Sequence, residues 1–215
     1  MQHLRTTLIA ASALAVMAAT PAAAAAPTMS FQVGSTPLPA DMVMIDTFDS
    51  AITAGFTFTG GLVRLGSLGV LKNVSSPPPG DLTKYVSVLG GTSATLTSVT
   101  PLKKLSLYMG SPDYFNSIRF IGVGYDLTLT GNQLWKPILA NYGDQAWGRR
   151  LTYDFGDVGI TKVIFASGRN SFEFDDLAGS YQAAVPEPTS WALMLLGFFG
   201  LGVTLRSRRR MSYAA

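Results

Sequence analysis

The sequence predicts an all-β protein: an antiparallel β-sandwich or jelly-roll-like domain, flanked by an N-terminal signal-peptide helix and a C-terminal single transmembrane helix. Three observations carry this expectation. Apolar and polar residues alternate through the middle of the chain, clusters of Gly, Pro, Asn and Asp interrupt that region at short intervals, and an apolar run sits near each end. Alternation with period two marks strands with one buried face, because successive side chains on a strand point to opposite sides.

The N-terminal element begins with the basic stretch Met1 to Arg5, continues through apolar residues 8–19, and reaches Thr20-Pro21 and an alanine run containing Ala22-Ala23-Ala24. A positive start, an apolar centre and small residues at the end match a secretory signal peptide. Residues 1–24 are therefore assigned to it, with cleavage expected after Ala24, and the Sec translocon and signal peptidase are its expected partners. The apolar run is too short to span a bilayer comfortably and has no polar stripe at helical spacing.

Residues 27–180 are the expected sandwich. Leu105, Leu107 and Met109 alternate with Ser106 and Tyr108; Leu151, Tyr153 and Phe155 with Thr152 and Asp154; Phe172 and Phe174 with Ser171, Glu173 and Asp175. Further strands are expected at 42–48, 52–59, 82–89, 94–99, 117–121, 125–130 and 161–166. Turn signals separate them at Gly60-Gly61, Pro77-Pro78-Pro79-Gly80, Gly90-Gly91, Ser111-Pro112-Asp113, Gly131-Asn132 and Ser167-Gly168-Arg169-Asn170. Many short strands with such punctuation point to a sandwich or jelly roll, and spacing alone does not choose the topology.

Charge and absences narrow the function. The chain has a formal net charge of +3, but Arg5, Arg206, Arg208, Arg209 and Arg210 supply five of its 16 basic residues and Glu187 is one of its 13 acidic ones. The body therefore holds 11 basic and 12 acidic residues. A near-neutral body lacks the clustered basic face that nucleic acid requires, so no nucleic-acid partner is expected. There is no Cys, and the single His is His3. Once the leader is removed, a Ser-His-Asp triad, a Cys nucleophile, a His or Cys zinc site and a disulfide framework are all excluded.

Two sets of body residues have binding chemistry. Aspartate supplies short oxygen ligands for calcium outside the cell. Where first and last strands are neighbours, Asp46 or Asp49 would approach Asp175 or Asp176, and a structural calcium would tie the two ends together. No other cofactor is expected, and the alternative for these carboxylates is a solvated strand or turn. Aromatics near turns supply faces for sugar stacking: Tyr114, Trp135 and Trp147 are the candidate glycan-binding residues, with Tyr142 and the amides Asn116, Asn132, Gln133 and Gln145 nearby. Core packing or rim exposure is the alternative reading. Glycoside hydrolysis needs paired carboxylates, and the body offers one Glu with no recognisable partner. Arg149-Arg150 reads as a solvated strand edge, and Gly60-Gly61 lacks the lysine and spacing of a phosphate loop.

The C-terminal element has three parts. Residues 181–190 form a linker containing Pro186-Glu187-Pro188, residues 189–205 carry no charge, and the basic tail 206–210 holds Arg206, Arg208, Arg209 and Arg210. A helix over 189–205 would span roughly 25 Å, slightly short of a hydrocarbon core of about 30 Å. Trp191 at one interface and snorkelling arginines at the other would cover the difference. The positive-inside rule places the arginines in the cytoplasm and the sandwich outside, the orientation that a signal peptide also requires.

Pro186-Glu187-Pro188, Trp191, Leu196-Gly197, Gly200-Leu201-Gly202 and the terminal arginines together resemble the PEP-CTERM sorting signal, here 186–210. That resemblance implies sorting by exosortase, a membrane protease-transpeptidase of Gram-negative bacteria that make exopolysaccharide. It also implies that Pro186, Glu187 and Pro188 are the recognition element, and that the helix and arginines are removed on processing. Met211 to Ala215 extend past the arginines, where many members stop. The body resembles a subgroup of exosortase-dependent surface proteins with a β-sandwich domain. This second match covers roughly 80–178, through Gly80-Asp81, residues 85–91, residues 110–116 and residues 171–177, and it implies no catalytic residues. The expectation is thus a non-enzymatic, exopolysaccharide-associated surface protein. It would begin as an inner-membrane-anchored precursor with its domain in the periplasm and end at the cell surface or in the matrix. The alternative is a secreted carbohydrate-binding module, and after it a glycoside hydrolase.

Overall fold

The computed structural model describes residues 25–111, 113–135, 146–182 and 193–199. Among these residues there are eleven strands: β1 (Thr28–Val33), β2 (Val43–Asp46), β3 (Phe56–Gly60), β4 (Leu62–Leu65), β5 (Lys84–Val88), β6 (Thr92–Met109), β7 (Asn116–Gly122), β8 (Tyr125–Thr130), β9 (Arg149–Asp154), β10 (Ile160–Ser167) and β11 (Phe172–Tyr181). Every strand ladder is antiparallel. The chain is all-β, as its alternation predicts. The expected signal peptide, residues 1–24, lies outside the described residues.

The 18-residue β6 organises the domain. Its first half pairs with β3 on one side and β10 on the other, and β10 continues through β7 to β8. Its second half pairs with β11 and β9; β9 carries β1, while β5 and β2 share the outer edge of β11 and β5 carries β4. All eleven strands are thus joined in one continuous hydrogen-bonded sheet, and β6 belongs to both of its halves, the two sheets of the sandwich. Two separate strands were expected here, at 94–99 and around 105–109, but the chain continues through Pro101. Proline has no N–H to give a ladder. It is tolerated because partners change there: β10 pairs through Thr97 and resumes at Leu102, with a register shift between. The Pro101 carbonyl still accepts the Gln182 N–H, at 2.8 Å.

The inner faces of the two sheets meet in a continuous aromatic and aliphatic core. Phe165 of β10 lies 4.4 Å, centroid to centroid, from Phe174 of β11, and Phe120 of β7 lies 5.0 Å from Tyr153 of β9. All four are fully buried. Such pairs add about 0.5–1.5 kcal/mol beyond the area they bury.

Strands β1 and β4 were not expected from the sequence. β4, Leu-Val-Arg-Leu, has exposed apolar residues and lacks a clean alternation. Gly60-Gly61 before it is not a hairpin turn, because β3 pairs with β6 whereas β4 pairs with β5. The pair carries the chain from one sheet to the other at close range. Both glycines have positive φ (78° and 66°), and a Cβ on Gly60 would stand 2.4 Å from the Ser93 carbonyl oxygen.

β11 departs most from expectation. Phe172 and Phe174 face the core, but Glu173 and Asp175 on the opposite face are also buried, at 5% and 4% exposure. The cover is the long connection from β4 to β5, with its three prolines. It is fixed by Ser76 N–H donating to Glu173 Oε1 (3.0 Å), Ser171 Oγ donating to the Val74 carbonyl (2.8 Å) and Tyr108 Oη donating to the Pro79 carbonyl (2.5 Å). A strand expected to show one face to water is thus roofed on both sides.

Candidate functional site: an acidic cleft beneath the proline-rich loop

The roof over β11 leaves a cleft of ≈ 610 Å³, and Asp49, Asp81, Asp175 and Asp176 all line it. Each arrives from a different part of the chain. Asp49 follows β2, and its Oδ1 accepts the Lys84 N–H at 2.9 Å. Asp81 follows the prolines. Its Oδ1 accepts both the N–H (2.8 Å) and the Oγ1 hydroxyl (2.7 Å) of Thr83, an Asx-type turn that leaves Oδ2 buried without a hydrogen-bond partner. Asp175 and Asp176 occupy a bulge in β11, where the register against β6 shifts between Asp175 and Ala178 and Asp176 has φ 49°. The bulge turns two successive carboxylates toward one side.

The only guanidinium reaching these carboxylates among the described ion pairs belongs to Arg150. It crosses from β9, donating from Nε to the Ser35 carbonyl (2.5 Å) and from Nη1 to the Asp176 carbonyl (2.9 Å) and Ser106 Oγ (3.2 Å). Its Nη2 is 3.4 Å from Asp176 Oδ2. At 1% exposure Arg150 is not the solvated edge that the Arg149-Arg150 pair suggested. Burial holds its ionisation below the ordinary arginine range, against the pull of Asp176 and Asp175. The Asp175 carboxyl is pushed up to about 8, first by burial and then by Asp176 and Asp81, with one backbone hydrogen bond opposing. Asp176 is also raised by burial, with Arg150 opposing.

Three of the four aspartates singled out in the sequence therefore share one cleft. The strand adjacency behind that expectation is present, with β2 paired to β11 through Asp46 and Leu177. Asp46 itself is committed elsewhere, its Oδ1 accepting the Phe48 N–H at 2.7 Å. Asp81 was missed, because its place depends on the loop folding back over β11. Among the described residues, no three metal-ligating side chains stand close enough together to hold a metal ion as they are placed.

The aromatic candidates separate. Tyr114 is half exposed on the rim of a second cleft, its ring 5.3 Å from that of Phe115 and 5.7 Å from the Arg169 guanidinium carbon. Trp147 is buried in the core at 5% exposure and offers no face to a sugar; the Arg149 guanidinium stands 6.0 Å from its ring centroid. Trp135 ends the single helical turn α1 (Asn132–Trp135), and its side chain, like Tyr142 and Gln145, lies outside the described residues. Pro186, Glu187, Pro188, Trp191, Arg206, Arg208, Arg209 and Arg210 also lie outside them. Residues 193–199 are helical, with Leu193, Met194, Leu195, Leu196, Phe198 and Phe199 all more than half exposed. Among the described residues no helix is long and apolar enough to cross a membrane.

The described strands define the class: an all-β, sandwich-like body. Residues 184–210 match the family model of the PEP-CTERM protein-sorting motif, and the chain carries that motif. No curated protein is significantly similar to it. Among solved structures it is similar to the catalytic unit of a thermostable GH87 α-1,3-glucanase from Streptomyces thermodiastaticus (18% identity, 69% of this chain and 28% of that one, TM-score 0.34). It is similar also to a peptidoglycan O-acetylesterase (13%, 71% and 40%, TM-score 0.33). A third likeness is to the K2 cleaved adhesin domain of Lys-gingipain (18%, 71% and 99%, TM-score 0.34). The chain thus spans well under half the length of the first two.

Proposed function

We propose that the protein is exported, held in the membrane by residues 189–205, and processed by exosortase, which leaves the sandwich of residues 27–180 at the cell surface as a non-enzymatic component of the exopolysaccharide layer. The observation that carries this reading is the sorting motif at 184–210. The exposed apolar helix at 193–199 supports the anchor, since six large apolar side chains left in water would be costly and in lipid would not. The two prolines flanking Glu187 remove backbone donors and disfavour helix, keeping the motif extended outside the membrane where an enzyme can grip it.

The triple change Pro186→Ala, Glu187→Ala and Pro188→Ala leaves the apolar span and arginines intact. It is expected to insert normally and to persist as a full-length precursor about 3 kDa heavier than processed protein, at the chain's mean residue mass. Intact-mass measurement in strains with and without exosortase decides the matter. Wild-type protein that keeps its arginine tail in both strains would refute sorting by that enzyme. The anchor is tested separately: Leu196→Arg places a charge in mid-span, an insertion cost of about 2.5–3.5 kcal/mol. Unchanged membrane fractionation would dismiss the anchor.

Carbohydrate binding is the second reading, favoured by the half-exposed Tyr114 beside the hydroxyls of Ser117 and Thr130 in one cleft. Glycan-array binding without turnover distinguishes it from hydrolysis, which would release reducing sugar.

A further inference from the structure

We propose that the cleft between β11 and the proline-rich loop is a calcium site, with Asp81 and Asp175 as its inner ligands and Asp49 and Asp176 closing it at the rim. Four carboxylates line one cleft, but acidic residues gathered at a surface prove little, because water and salt can serve them. The decisive observation concerns the inner pair. Asp175 is 96% removed from solvent and its Oδ1 has no donor; Asp81 Oδ2, in the same cleft, is likewise buried without a donor, and the two carboxyls stand within hydrogen-bonding reach of each other. A buried carboxylate oxygen is ordinarily hydrogen-bonded, paired or bound to a metal. Arg150 does not supply the missing partner: its Nε and Nη1 donate to Ser35, Ser106 and Asp176, and its Nη2, 3.4 Å from Asp176 Oδ2, makes no hydrogen bond.

The ligand chemistry selects the ion. All four side chains present hard carboxylate oxygens, and outside the leader the sequence has neither His nor Cys, so soft and borderline metals lack their preferred partners. Magnesium demands near-ideal octahedral geometry with short bonds, whereas calcium accepts six to eight oxygens in irregular arrangements and completes its shell with water. Asp49 is exposed and Asp176 only partly buried, so on binding Asp49 would turn inward from the Lys84 N–H and Asp176 from Arg150 Nη2, while Asp81 is held by the loop turn and Asp175 by its burial in the bulge. The site would join the chain after β2, the proline-rich loop and the last strand. Its role is to fasten the roof over β11 without a disulfide. The preference for calcium draws on the extracytoplasmic location proposed above, but binding belongs to the sandwich alone and is measured independently of sorting.

The test uses the full chain purified in detergent and stripped with a chelator. Titration with Ca²⁺ is expected to give one site per chain and a calcium-dependent rise in Tm. Tb³⁺ is expected to show emission sensitised by Tyr108, which lines the cleft, and Ca²⁺ to quench it by displacement. Asp175→Asn and Asp81→Asn should each weaken binding at least tenfold, while Asp46→Asn, outside the cleft, should not. In chelator Asp175→Asn should unfold no lower than wild type, which separates loss of a ligand from loss of the fold. No binding at millimolar Ca²⁺, undiminished affinity in Asp175→Asn, or equal affinity for Mg²⁺ would each overturn the assignment.

Discussion

Replacing Phe174 with alanine is expected to destabilise the sandwich by about 3–5 kcal/mol, the range for truncating a buried phenylalanine. Phe174 is fully buried where the two sheets meet, and its ring centroid lies 4.4 Å from Phe165, 5.3 Å from Phe172, 6.2 Å from Phe48 and 6.3 Å from Phe58. These neighbours come from β10, β11, β3 and the turn after β2, so no single element can shift to fill the space. Phe174→Leu, which keeps much of the volume, should lose considerably less. Chemical denaturation gives both values. A loss below about 1 kcal/mol for the alanine variant would show that the sheets do not pack through this cluster.

Arg150→Met should cost a similar amount, about 3–5 kcal/mol, although methionine fills much of the same space. The change takes the Arg150 donor from the carbonyls of Ser35 and Asp176, leaves the Ser106 hydroxyl with Thr152 Oγ1 as its remaining donor, and removes the guanidinium beside Asp176. Because the cleft then holds carboxylates without a counter-charge, calcium should recover a larger share of stability in this variant than in wild type. Thermal unfolding with and without Ca²⁺ measures both effects. By contrast, Arg119 and Asp126 form a close pair across β7 and β8 with about half of each side chain exposed, and breaking it should matter far less, since water and salt screen both charges. If Arg150→Met unfolds like wild type, the buried network contributes nothing net.

Much of the fold was legible because strand alternation is a local signal. β5, β7, β8, β9 and β10 form close to where alternation and turn residues place them, since period two reports one buried face whatever the neighbouring strands are. The interruption expected near Pro101 did not appear: a ladder donor is dispensable where β6 changes sheets, and a change of sheet is not a local property. Arg150 looked exposed for a similar reason. Charge favours the surface by default, and only the converging acceptors of Ser35, Ser106 and Asp176 make its burial tolerable.

The candidate cleft was legible in its aspartates and not in its depth. Asp49, Asp175 and Asp176 follow from one idea, that an early strand lies beside the last. Asp81 and the burial of Asp175 require the loop to fold over β11, and that loop is fixed by contacts far apart in sequence, Ser76 with Glu173 and Tyr108 with Pro79. The sequence by itself determined the β class, the sorting motif and the exclusion of His and Cys chemistry, because each is written in residue type and short-range spacing. Tertiary structure alone decided which carboxylates meet, which arginine is buried and which face of β11 is covered, because burial is a property of what packs on a residue and not of the residue itself.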